Sequence, residues 1–329
     1  MKNFRTVLSL PDYPLSINHD HGILSVGSCF AENIGRKLTA GKFRTLLNPF
    51  GIIYNPASAA VVLETIFSER QISEEEVFFH NDLWHSRLHH GAFSNADKAM
   101  LLSDLAEQTR RGNAFLQSTD RLLLTFGTAF VWEEKTTGLI AANCHKRPQS
   151  NFLRRRLSVN EIIETLLPIL QKMKAGNNDL EVIITVSPVR HMRDGFVENQ
   201  RSKAVLLLAA EEMCGSEAFI NYFPAYEIVQ DDLRDYRFYT EDMLHPSAVA
   251  VAYVWERFGQ AFFSAETQTL LNKIKQIQNA VAHRPFRPHS AAHQAFLSTH
   301  ADKIKLLSAK YPQLDFSEEA KQINRQILN

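Results

Sequence analysis

A serine becomes a nucleophile when an imidazole can take its proton, and the imidazole works best when a carboxylate fixes its tautomer and balances its transient charge. Asp242-Met243-Leu244-His245-Pro246 offers that pair on one short loop, where the spacing lets the Asp242 carboxylate reach Nδ1 of His245 and leaves Nε2 facing outward. A serine that could use it stands in Ile23-Leu24-Ser25-Val26-Gly27-Ser28-Cys29-Phe30-Ala31, where four mostly apolar residues stop at a glycine and a helical pattern begins. Ser28 also fits a simple capping role at a helix N-terminus. Cys29 competes as nucleophile, because a helix N-terminus lowers a thiol pKa.

The positions of both segments follow from the elements around them. Ile23–Val26, Phe43–Leu47, Arg121–Phe126, Glu181–Val186 and Phe219–Phe223 read as short buried strands. Helical patterns separate them, at about 30–40, from Pro56, up to about Gln117, at 159–174 and at about 199–214, with a last one over 246–263. Helix and strand alternating in this way predict a parallel sheet covered on both faces, with Gly27-Ser28 and the Asp242–His245 loop on its carboxyl rim. Val77–Phe93, where aromatics alternate with histidines, reads as a β-hairpin or lid. Residues 132–156 read as a loop excursion, and Arg154-Arg155-Arg156 as a solvated helix face. The expected division is a lead-in over 1–19, an α/β domain over 20–263 and a helical extension over 264–329.

Composition narrows the function classes. Across 329 residues, Lys+Arg and Asp+Glu balance at 36 each, so no overall field recruits nucleic acid or an anionic membrane. The three cysteines form no CxxC pair and are too scattered for a disulfide framework, so free thiols and a cytoplasmic location are expected. Neither a signal peptide nor a membrane span is read in the N-terminal stretch. His85 and His89 have helical metal-ligand spacing, yet no Glu follows His85 in the HExxH manner, so with His80 and His90 they are assigned to a substrate-lining flap. No metal and no cofactor is expected. Trp132, His145, Arg190 and His191 are candidate substrate contacts near strand exits, core packing or ordinary loop charge being the plainer readings. Cys144 beside His145 could mark a second nucleophile but lacks an evident carboxylate partner.

Gly27-Ser28-Cys29-Phe30-Ala31 resembles the signature of the GSCFA family, itself similar to the SGNH/GDSL hydrolases and distantly to the PC-esterase group of O-acyl esterases and transferases. Asn48-Pro49-Phe50-Gly51-Ile52-Ile53-Tyr54-Asn55-Pro56, Asn143-Cys144-His145-Lys146, Ser187-Pro188-Val189-Arg190-His191 and the segment from Asp235 through His245-Pro246-Ser247 share the resemblance. It implies a three-layer flavodoxin-like fold with a five-stranded parallel sheet of order 2-1-3-4-5. It also implies Ser28 as nucleophile, His245 as general base, Asp242 as its orienter, and Ser28 and Gly51 N–H groups in the oxyanion hole. Where those hydrolases carry Gly-x-Asn, this chain has Gly127-Thr128-Ala129, which leaves Thr128 or Asn143 for the third donor. The implied activity is serine-dependent hydrolysis or O-acyl transfer on an acylated carbohydrate or similar small ester. A non-catalytic binding module on the same fold is the alternative, and a metal-dependent hydrolase the third reading. Oligomeric state is not legible.

Overall fold

Two-sided burial of the first strand decides the architecture. The computed structural model describes residues 5–327, so the first four residues of the expected lead-in and the last two of the expected extension lie outside the described residues. In β1 (Gly22–Gly27) every residue is buried. Leu24 and Val26 enter one apolar core and Ile23 enters another, so the strand needs a layer on each face.

The chain supplies those layers in order. After β1 come α1 (Cys29–Ala40), β2 (Arg44–Leu47) and α2 (Pro56–Phe67), which starts with proline just inside its Asn55 cap. The hairpin β3 (Val77–His80) and β4 (Leu83–Ser86) precedes α3 (Lys98–Leu116) and β5 (Arg121–Phe126). An antiparallel insert of β6 (Phe130–Glu134), β7 (Ile140–Ala141) and β8 (Phe152–Arg156) follows. Then come α4 (Val159–Gly176), β9 (Glu181–Val186), α5 (Phe196–Ser216) and β10 (Ile220–Tyr222). A short α6 (Ala225–Glu227) runs into a π-helical turn over Ile228–Leu233 and leads to α7 (Ala248–Phe262). The chain closes with α8 (Ala265–Ala282), α9 (Ala291–Lys310) and α10 (Ser317–Asn324).

The main sheet runs β2-β1-β5-β9-β10 with every neighbouring pair parallel, the order 2-1-3-4-5 that the resemblance implied. One face, through Leu24, Leu122 and Val182, packs on α2, α3, α4 and α5. The other, through Ile23, Leu123 and Ile183, packs on α1 and α7. The last three helices share a third core, with Ile274, Leu297, Ile304 and Ile323 inside it. Lys42, just after α1, ties it to the rest through Glu319 at 2.8 Å. Among the described residues, no helix is long and apolar enough to cross a membrane.

Two readings need correction. The excursion over 132–156 contains most of a three-stranded sheet, and Arg154-Arg155-Arg156 lies on its edge strand β8, not on a helix face. Its arginines pair with Asp194, Glu133, Glu161 and Glu198, so a strand held by ion pairs carries little apolar alternation.

Two glycines test this packing. A Cβ on Gly27 would stand 2.4 Å from Thr125 O, whereas one on Gly215, in α5, would meet nothing within 4 Å. Gly27→Ala is expected to cost about 1–3 kcal/mol in urea unfolding, the usual range for overpacking. Gly215→Ala should gain about 0.4–1 kcal/mol through the unfolded chain.

Candidate active site

Backbone bonds lace the carboxyl rim together. Ser28 N–H donates to Thr125 O at 3.0 Å and Ile53 N–H to Gly27 O at 2.9 Å, while Gly127 and Thr128 N–H both donate to Tyr54 O, at 2.8 and 3.1 Å. Asn48 Oδ1 accepts the Gly27 N–H at 2.9 Å. The loops after β1, β2 and β5 are thereby held as one unit.

Within that unit Ser28 is the N-cap of α1. Its Oγ accepts the Phe30 N–H at 3.3 Å, and the residue is 0% exposed. Ser28, expected as nucleophile, is absent from the lining of the adjoining cleft, and its hydroxyl serves as a cap beneath the turn. Cys29, one residue on, does line this cleft of about 690 Å³. Burial pushes the Cys29 thiol above its ordinary pKa, opposed by the N–H groups of Cys29 and Phe30 and by the Lys203 ammonium.

His245 lines the same cleft. Its Nδ1 lies 2.6 Å from Asp242 Oδ2, the pairing read from their spacing. Asp242 Oδ1 accepts the Thr240 hydroxyl at 2.6 Å and the N–H groups of Leu244 and His245 at 2.8 and 3.0 Å. These bonds, the Thr240 hydroxyl first, hold the Asp242 carboxyl well below the usual carboxylate range, so it stays ionised at any working pH. Met243 sits at φ 59°, the left-handed conformation that closes this tight turn. Arg190 anchors the loop through its N–H to Leu244 O at 3.1 Å and its Nη1 to Met243 O at 3.0 Å. Among the described residues His245 Nε2 has no hydrogen-bond partner, and neither Ser28 Oγ nor Cys29 Sγ is bonded to it.

Side-chain donors line the same cleft as the thiol. Asn143 lines the cleft with Oδ1 fixed by the His145 N–H at 2.8 Å, and Asn55 lines it with Oδ1 fixed by the Ser58 N–H at 2.8 Å. In each amide Nδ2 has no hydrogen-bond partner among the described residues. Thr128 Oγ1 lies 3.0 Å from Ser202 Oγ and accepts the Phe130 N–H at 3.1 Å. If Ser202 donates, the Thr128 proton is free to face the cleft. The expected Gly51 contribution is corrected, because its N–H donates to Asn48 O at 2.8 Å and the residue lies outside the cleft lining.

The histidines separate into two sets. His145 and His191 line the cleft, as do Trp132 and Arg190. His85 and His89 do not, which corrects their assignment to a substrate-lining flap: both are buried. His85 bridges Ser94 Oγ and His80 O at 2.6 and 2.9 Å, and His89 stacks on Phe50 with ring centroids 4.0 Å apart. Burial lowers His145 to about 4 and His191 to about 3, so both rings are neutral. Burial also raises the Cys144 thiol to about 11, which leaves it protonated. Among the described residues no group of three or more His, Cys, Asp or Glu side chains is disposed to hold a metal ion.

Tyr54, Asn55 and Lys203 were not singled out from the sequence. Asn55-Pro56 carried a signal, a cap followed by proline at a helix start. Lys203 carried none, because a lysine in a helix reads as solvent-facing. It is buried, with Nζ donating to Gly127 O and Ser187 O at 2.6 Å each. His191 Nε2, buried and without a partner, reaches the same place: a Cβ on Gly127 would stand 2.6 Å from it and 3.5 Å from Ser28 Cβ.

A parallel α/β sheet of this order, with a thiol and an Asp–His pair on its carboxyl rim, defines a flavodoxin-like architecture. The family model of GSCFA matches residues 22–258, and that of the GSCFA domain protein C-terminal domain matches residues 274–329. The chain belongs to the GSCFA family. No curated protein matches it. Similar solved structures include a candidate platelet activating factor from Streptococcus pneumonia, at 13% identity and TM-score 0.38, covering 73% of this chain and 84% of that one. Another is the acetyl xylan esterase Est2A from the rumen bacterium Butyrivibrio proteoclasticus, at 11% identity and TM-score 0.36, covering 82% of this chain and 66% of that one. At these identities and scores neither likeness bears on activity.

Lys203 generates a prediction. Burial lowers its pKa from 10.5 to about 7. Between those values the unfolded chain holds a proton that the folded chain has released, so stability should rise with pH across this window. Urea unfolding from pH 7 to pH 10 should show that rise in the parent protein and a flatter profile in Lys203→Met. Parallel profiles would show that the lysine titrates normally.

Proposed function

We propose that this protein is an acyl-transfer enzyme that works through Cys29, with His245 as general base and Asp242 as its orienter. The observation that carries the reading is that Cys29 and the carboxylate-bound His245 line one cleft while Ser28 is closed off as a cap. His245 Nε2 takes the thiol proton as Sγ attacks the ester carbonyl carbon. The tetrahedral oxyanion is supported by the Cys29 N–H and by the Asn143 or Asn55 amide. Collapse breaks the carbon–oxygen bond, and the alcohol leaves with the proton from His245. Water, or the hydroxyl of an acceptor, then gives its proton to His245 and attacks the thioester, which releases the acid or a new ester and restores the thiol. The substrate class is a small or glycan-borne acyl ester, in keeping with the family resemblance.

No carboxylate helps Cys29 directly, and its raised pKa keeps most of the thiol protonated at neutral pH, so the base is needed. With 4-nitrophenyl acetate, Cys29→Ala should abolish turnover, and His245→Ala should lower it by about 10²–10⁴-fold, the usual worth of a general base. Ser28→Ala should retain turnover while losing about 1 kcal/mol of stability with the cap. In the parent enzyme kcat/KM should go on rising into the alkaline range, because the thiolate is the reactive form and its pKa is raised. Activity in Cys29→Ala that disappears in Ser28→Ala would return the role to the serine. No turnover in the parent protein would favour a binding module.

A further inference from the structure

The cleft wall is cationic beyond what its own pairing uses. Lys146, Arg147, Arg154, Arg190 and Arg193 line it, and no aspartate or glutamate does among the described residues. Arg147 is matched by Glu134 at 2.5 Å, which also takes Arg87 at 2.8 Å, and Arg154 grips Asp194 through two nitrogens. Lys146 and Arg193 have no carboxylate partner among the described residues, and Arg190 is engaged only with a backbone carbonyl and aromatic rings. Arg193 and Arg154 crowd one indole, their guanidinium carbons 4.5 and 4.6 Å from the Trp132 ring centroid. Arg147 and Cys144 line the cleft beside them. Lys146, exposed, lines the same cleft, on a backbone that holds His145 and Lys146 in the left-handed region at φ 48° and 58°. Like charges gathered this way repel one another unless an anion enters.

We infer that the cleft accepts an acyl ester whose alcohol portion carries an anionic group, a carboxylate or a phosphate, held by Arg193 and Lys146 beside Trp132. Guanidinium suits either anion because its planar fork matches both. The ester rests on the acyl-transfer reading; the anion site does not, and it can be tested without turnover.

The binding test uses Cys29→Ala protein and calorimetry with 4-hydroxybenzoate against its uncharged methyl ester. The acid is expected to bind about tenfold or more tightly, the worth of one charge-assisted contact. Arg193→Gln and Lys146→Gln should each reduce that preference, and raised salt should weaken it. Neither residue makes an ion pair, so the variants should fold as the parent does. Phenyl phosphate in competition identifies the anion: displacement more effective than by benzoate assigns phosphate, and the reverse assigns carboxylate. In the parent enzyme, 4-acetoxybenzoate should be favoured over methyl 4-acetoxybenzoate mainly through a lower KM. Equal binding of acid and methyl ester, or a preference untouched by both variants, would overturn the anion site. Binding without turnover of either ester would leave the anion site standing and remove the acyl-transfer reading.

Discussion

The hydroxyl of Ser28 accepts the N–H of Phe30, and that one cap decides which side chain of Gly27-Ser28-Cys29 lines the cleft. Ser28 keeps the extended backbone of an N-cap, at φ −71° and ψ 177°, so that Cys29 becomes the first helical residue. Two adjacent side chains then diverge, one folded back over the helix start and the other directed into the cleft. The bond from Ser28 N–H to Thr125 O pins this turn to the neighbouring strand, and the close approach of Gly27 to Thr125 leaves no space for a side chain between them.

Beneath the rim, Lys203 performs a related task with a charge. Its ammonium joins Gly127 O and Ser187 O, the first residues beyond β5 and β9, which would otherwise be carbonyls ending two strands in an apolar layer. Among the described residues no carboxylate neutralises it, and a buried unpaired cation is costly. The group whose negative form gains from it is the Cys29 thiol. The same lysine thus ties the strand exits together and, while protonated, places positive charge near Cys29. Gly127 completes the arrangement by leaving room for the neutral His191 ring.

The sheet was legible because its strands are short apolar runs closed by Gly, Pro or Ser, and the Asp242–His245 contact was legible because both partners lie on one turn. Which of Ser28 and Cys29 lines the cleft was not. Ser28 and Cys29 are adjacent, and only the rotation of the first helical turn separates cap from cleft. The β6–β8 insert was hidden by arginines whose partners lie on other elements, as Arg154–Asp194 and Arg156–Glu198 show. His85 and His89 looked like ligands or flap residues because spacing does not report burial. The Gly51 N–H looked available because sequence does not reveal that Asn48 O closes a turn on it.

With the N–H groups of Gly51, Gly127 and Thr128 all bonded within the rim, backbone support for an oxyanion falls to the helix start at Cys29, and the remaining donors are side-chain amides. A serine in such a site would depend heavily on a base held tightly against it, because its hydroxyl is a weak nucleophile until deprotonated. His245 is instead part of an exposed pair, with no partner on Nε2 among the described residues. A thiol is intrinsically more nucleophilic and needs less from its base, so an open Asp–His pair suits the proposed use of Cys29, which lines the same cleft.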